Sequence, residues 1–136
     1  MITKRKTDDD FGCERCWPDE AAAAWEAREG LATVEELIDE SHYKVKLLSC
    51  PHCHQNFLSV FTEIVDWALG EDPMYWKVVP VEADDVAALT DWKGAPREVD
   101  LEAMARARRS LLRDFPAGAS KPTVRWGVGL RVGPHD

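Results

Sequence analysis

The sequence predicts an α+β fold: a small antiparallel sheet of three or four strands, preceded by two N-terminal helices and with further helices inserted before its last strand. Three observations carry this expectation. Residues 123–133, TVRWGVGLRVG, set Val124, Trp126, Val128, Leu130 and Val132 at strict alternate positions, the period of a strand with one buried face. HYKVKLLS alternates Tyr43, Val45 and Leu47 against His42, Lys44 and Lys46 in the same way. Between them, DLEAMARARRSLLRDF spaces Leu101, Met104, Arg108, Leu111, Leu112 and Phe115 mostly at three- and four-residue steps, with Asp100 placed to cap it, and so reads as a helix.

Taken in order, the chain opens with a charged leader, residues 1–10, followed by a single domain over residues 11–136. Pro18, Asp19 and Glu20 form a helix start, since proline suits the first turn and acids suit the positive end of the dipole. AAAAWEAREG follows as the first helix, ended by Gly30. Thr33 and Glu36 have capping-box spacing, which makes TVEELIDE the second. NFLSVFTEIVDW fits a helical stripe through Phe57, Val60, Phe61, Ile64 and Val65. Its β-branched and aromatic residues, with no alanine, lysine or arginine, favour a strand. GEDP is a turn and MYWKVVPV a further strand, ended at Pro80 because proline cannot donate to a ladder. EADDVAALTDW reads as a helix.

The chain is 136 residues long and 45% hydrophobic, enough to bury a core of its own, so a bound metal would act as a local staple. The formal charge is -8, and residues 17–40 carry eight acids (Asp19, Glu20, Glu26, Glu29, Glu35, Glu36, Asp39, Glu40) against one base, Arg28. That balance argues against nucleic acid, whose affinity comes mainly from lysine and arginine displacing counterions. The leader has no apolar run of the kind a secretory signal needs, and no stretch approaches the roughly 18 apolar residues of a membrane span. The expected location is therefore cytoplasmic, with no membrane partner, where cysteines are reduced, metal-bound or catalytic.

All four cysteines fall into two C-x-x-C pairs, Cys13 with Cys16 and Cys50 with Cys53, and 33 residues (17–49) separate the pairs. Two intervening residues let the backbone curl so that both sulfurs face one ion. Two such pairs make the closed four-thiolate shell that Zn²⁺ prefers in structural sites; iron suits the same shell. Arg15, Lys44, Lys46, His52 and His54 lie in or just before these turns and are candidates to offset the negative charge of such a centre.

The run CPHCHQNF resembles the second knuckle of zinc-ribbon (rubredoxin-like knuckle) proteins, Cys-Pro-x-Cys-Gly-x-x-Phe. The resemblance covers only the knuckles and their flanking strands. It implies that Cys50 and Cys53 are ligands, with Cys13 and Cys16 as the other pair, and that one Zn²⁺ is held per chain; it implies no reaction. His54 stands where the family has glycine, at a position that commonly takes a left-handed backbone. The longer run to Trp67 is similar to small uncharacterised bacterial zinc-binding proteins with a four-cysteine site.

The rival chemistry is redox. Cys50-Pro51-His52-Cys53 also resembles the active-site tetrapeptide of thioredoxin-like disulfide oxidoreductases, which implies Cys50 as nucleophile and Cys53 as resolving thiol. In that fold a strand precedes the motif and a helix begins at it, lowering the first thiol's pKa. This reading leaves Cys13 and Cys16 unexplained. Cys50, Cys53 and His54 also satisfy the haem-attachment pattern C-x-x-C-H, but attachment normally requires export.

Elsewhere the sequence offers six tryptophans, a residue enriched at binding hot spots but more often core. Glu63, Asp66, Glu71 and Asp72 are close in sequence, with nothing to oppose two of them as an acid/base pair. RARR (106–109) is a basic patch flanked by acids. No phosphate-binding glycine loop, nucleophile elbow or H-E-x-x-H occurs. The expectation is a small zinc-binding protein with a structural four-cysteine site and no catalytic residues. It would act as an interaction module that presents an acidic or aromatic surface to a protein partner. The alternative is the dithiol oxidoreductase. Oligomeric state is not legible.

Overall fold

Six strands, each paired antiparallel with its sequence neighbours, make up one sheet in the order β1-β2-β3-β4-β5-β6. They are β1 (Ala32–Glu40), β2 (Tyr43–Ser49), β3 (Asn56–Glu63), β4 (Met74–Val81), β5 (Arg109–Phe115) and β6 (Thr123–Val128). Among the described residues, three short helices accompany the sheet, α1 (Ala21–Ala27), α2 (Ala83–Asp91) and α3 (Glu98–Met104), with a single tight turn at Arg28–Gly30 after α1. The computed structural model describes residues 11–91, 97–104 and 107–136. The predicted leader at 1–10 lies outside them, as do Trp92 and Arg106.

This corrects the expected fold: the sheet has six strands rather than three or four, and one helix rather than two precedes it. TVEELIDE is not a helix but the edge strand β1. A two-residue turn at Ser41 and His42 returns it against β2, and Glu36 faces Lys46 while Asp39 faces Lys44 across the ladder. Backbone pairing with β2 across the hairpin overrides the helical preference of glutamate and leucine. Two register shifts, between Thr33 and Glu35 and between Glu36 and Ile38, mark bulges, which together with the exposed acids shield an otherwise open edge.

The second correction is at DLEAMARARRSLLRDF. Only its first part is helical, as α3; from Arg109 the chain becomes β5. Leu111 and Leu112 point to opposite faces of a sheet covered on both sides. Such a strand loses the period-2 signal and looks helical by periodicity alone. Of the basic run, Arg108 is salt-bridged, at 2.7 Å to Asp85 and 3.4 Å to Glu82, from the approach to β5 rather than from a helix.

β3 and β4 run where the sequence places strands, and Pro80 is tolerated within β4 because the β5 partner ends at Val78. β6 is shorter than its alternation implies. The ladder stops at Val128, where Gly129 takes a φ of 78° and donates its N–H to Arg108 O at 2.7 Å. Leu130 and Val132 then leave the sheet and bury themselves in the core.

Both faces of the sheet are packed. On one, Tyr43, Val45, Leu47, Leu58, Val60, Val79 and Val81 pack with Ile38 and with Leu89 of α2, Leu101 of α3, Leu130 and Val132. On the other, Leu48, Phe57, Val78 and Leu111 are covered by Cys16, Trp17 and Ala24 from the N-terminal segment. Trp17 seats that segment against Phe57 and Trp126, and Trp126 Nε1 donates to Asp19 O at 2.7 Å, so the position of the segment controls the second core. Among the described residues, no helix is long and apolar enough to cross a membrane.

Candidate metal centre

The β2–β3 connection and the N-terminal segment meet at one end of the sheet, and each contributes one turn. In the first turn, Cys16 and Trp17 both donate backbone N–H groups to Cys13 O, at 3.2 and 2.8 Å. In the second, His54 N–H donates to Cys50 O and Cys50 N–H to Gln55 O, both at 2.9 Å. His54 has a φ of 64°, so the histidine occupies the left-handed position that the knuckle requires and bears its modest strain. Gly12 has a φ of 71°, and a Cβ there would lie 2.6 Å from Trp17 Cβ and 3.1 Å from Cys16 Sγ. Only glycine fits.

These turns bring all four cysteines together. The Sγ atoms of Cys13, Cys16, Cys50 and Cys53 lie within 4.8 Å of one another. Cys13 Sγ is 3.6 Å from Cys16 Sγ and 3.9 Å from Cys50 Sγ, and Cys16 Sγ is 3.7 Å from Cys53 Sγ. A tetrahedral ion with metal–sulfur bonds of about 2.3 Å has sulfur–sulfur edges of about 3.8 Å. The observed separations bracket that edge, far from the ~2.05 Å of a disulfide, and all four thiols are free. The group can therefore hold a metal ion. Cys16 and Cys50 are buried, Cys13 is intermediate and Cys53 is exposed, so the site opens to solvent along one side.

Local donors favour negative sulfur here. Cys13 N–H points at Cys16 Sγ at 3.2 Å and His52 N–H at Cys50 Sγ at 3.4 Å. For the Cys13 thiol, burial raises the pKa, but hydrogen bonds from the backbone of Cys16 and Arg15 and from neighbouring thiols outweigh it and bring it down to about 7. Burial pushes Cys16 and Cys53 up instead. Four thiolates do not coexist at these distances without a cation among them, and a divalent ion deprotonates coordinating thiols outright.

The predicted charge-offsetting residues divide. Arg15 and His52 bond each other across the two turns, Arg15 Nη1 to His52 Nε2 at 2.8 Å. Arg109, from β5, lines a cavity of about 480 Å³ together with Cys13. Lys44 and Lys46 are not part of the centre: they form long ion pairs with Asp39 and Glu36, at 3.8 and 3.9 Å. The acids around Glu63 are also accounted for. Glu63 bonds His42 at 2.8 Å, and Asp66 accepts from the N–H groups of Ala68 and Leu69 at 3.1 and 3.0 Å.

Sequence reasoning overlooked Gln55. Only 9% exposed, it accepts from Gly12 N–H at 3.2 Å through Oε1 and donates through Nε2 to Asn56 O and Val81 O, each at 2.9 Å. It thus joins the first turn, the second turn and β4. A polar residue directly after a knuckle was the only available signal.

Compared with models of protein families, with curated proteins and with solved structures, the chain matches none of them. The site must therefore speak for itself. After the Cys50 turn the chain enters strand β3 rather than a helix, so the helix N-terminus that activates the leading thiol in dithiol oxidoreductases is not present at Cys50.

Proposed function

We propose that this chain is a structural zinc protein. One Zn²⁺, held by Cys13, Cys16, Cys50 and Cys53 in two zinc-ribbon-type knuckles, clamps the N-terminal segment to the sheet and so supports a protein-interaction surface. The observation that carries the reading is the gathering of four cysteine sulfurs within 4.8 Å of one another, with separations of 3.6, 3.7 and 3.9 Å close to the ~3.8 Å edge of a tetrahedral four-sulfur shell. A tetrahedral ion with four protein ligands has no open position for a substrate, which favours a structural role over a catalytic one. Four free thiols suit a reducing compartment such as the cytoplasm.

The protein should be purified without added metal. About one zinc per chain, released together with four titratable thiols on denaturation, is the expected result. A red iron-loaded preparation would assign a rubredoxin-type ion instead, and a metal-free protein cycling Cys50 and Cys53 between dithiol and disulfide would remove the zinc reading.

The interaction surface is supported by the β3–β4 loop, where Trp67 is 90% and Leu69 77% exposed. Asp66 braces this loop with its two N–H contacts and receives Gly70 N–H on its carbonyl at 2.9 Å, while Asp66 N–H donates to Asp72 Oδ1 at 2.7 Å. An exposed tryptophan on a pre-ordered loop binds with little ordering cost. Together with the acids Asp66, Glu71 and Asp72, it fits a protein partner with an apolar cleft and a basic rim. Trp67→Ala is expected to leave thermal stability unchanged, because the side chain packs on almost nothing, while abolishing capture of the partner retained by the wild type. Retained capture would move the surface elsewhere.

A further inference from the structure

On the sheet face that carries the N-terminal segment, beyond the reach of the cysteines, lies a groove of about 570 Å³. Its size falls within the range of small-molecule sites. Leu48, Phe61 and Trp76 line it together with the cations Arg28, Lys44 and Lys46. On a chain of net charge -8, three cations against one acid, Glu29, around an apolar floor leave this groove with an excess of positive charge.

Arg28 is the most telling of the three. Its guanidinium carbon lies 3.7 Å from the centroid of the Trp25 ring, and its Nε is buried with no hydrogen-bond partner. A second guanidinium, Arg113, sits 4.6 Å from the Trp76 ring and 5.0 Å from that of Trp25, so two cations flank the same indole. Burial leaves the Arg28 charge poorly solvated, and an anion in the groove that Arg28 lines would offset that cost. Lys44 and Lys46 are tied only by ion pairs of 3.8 and 3.9 Å at partly exposed positions, which contribute little and leave ammonium donors available.

We propose that this groove binds a small organic carboxylate with a planar aromatic body. The carboxylate meets the forked donors of Arg28 with Lys46 beside it, an arrangement suited to guanidinium geometry, and the ring lies against Trp76 and Phe61. A single negative charge fits better than a polyanion, because the acids of the surrounding surface repel extended negative chains. The site shares no residue with the cysteine cluster, but Arg28 belongs to the N-terminal segment that the proposed ion holds on the sheet, so the metal-loaded protein is the one to test.

Isothermal titration with naphthalene-2-carboxylate tests it on the full-length, metal-loaded protein. The expected result is saturable one-to-one binding that weakens about tenfold or more with the neutral naphthalene-2-carboxamide, and by a similar factor in Lys46→Gln and Arg28→Leu, in line with the loss of a charged hydrogen bond. Lys46→Gln alters a partly exposed side chain on the sheet face and keeps the fold, so it decides the matter where Arg28→Leu loosens α1. Absence of saturable binding, equal affinity for the amide, or unchanged affinity in Lys46→Gln would overturn the proposal. Tighter binding of an acidic hexapeptide than of the naphthoate would overturn the small-molecule assignment.

Discussion

Cys13→Ser and Cys50→Ser are expected to lose the metal alike and to destabilise the protein by similar amounts, several kcal/mol each, because binding of a structural Zn²⁺ contributes on the order of 10 kcal/mol of linked folding energy and three ligands hold it far less well. The two residues lie on different parts of the chain, 37 positions apart. Equality of their effects is therefore the signature of one shared ion. The loss should also be uneven across the molecule. The core of Val45, Leu47, Leu58, Val60, Val79 and Val132 packs on the opposite face with α2 and α3, whereas Cys16, Trp17 and Ala24 cover their own face from a segment that the ion clamps. Hydrogen exchange on either variant should show residues 11–31 losing protection first while β2, β3 and β4 keep theirs. If Cys13→Ser leaves both metal content and the protection of 11–31 unchanged, the shared-ion account fails, and a dithiol at Cys50 and Cys53 becomes the better reading.

Phe57→Ala is expected to cost about 3–5 kcal/mol in urea denaturation, the range for truncating a fully buried phenylalanine. Phe57 is 0% exposed, its ring lies 5.1 Å from that of Trp17, and it sits opposite Pro80 in the β3–β4 ladder. Its removal leaves a cavity under Trp17, which Trp126 holds from the other side at 4.9 Å, so the first cysteine turn loses its floor. The variant should therefore give up its metal to a chelator faster than the wild type. A loss below about 1 kcal/mol would mean that the site collapses freely around the gap and that Trp17 is not seated as described.

The local parts of this protein were legible and the global parts less so. Alternation at Tyr43, Val45 and Leu47 against lysines located β2, whereas β3 was located by its β-branched and aromatic composition from Phe57 onward, since both of its faces are apolar. β1 was hidden because Glu35, Glu36 and Leu37 have helical propensity, and the partners that make a strand of them, Leu47 opposite Glu35, Lys46 opposite Glu36 and Val45 opposite Ile38, come only from across the hairpin. β5 was hidden for the opposite reason: both its faces are covered, so Leu111 and Leu112 stand side by side and break the period. The cysteine spacing pointed to a four-sulfur cluster, and the folded chain brings those sulfurs together. His54 was legible as the residue in glycine's place, and its φ of 64° shows how the turn accommodates it. Gln55 and the groove at Arg28 were not legible, because their partners come from segments whose proximity is set by the sheet.

The most direct measurement is X-ray absorption at the zinc edge of protein purified without added metal. The account predicts a single shell of four sulfurs at about 2.3 Å. A shell containing nitrogen or oxygen, a sulfur count below four, or no bound zinc at all would contradict it.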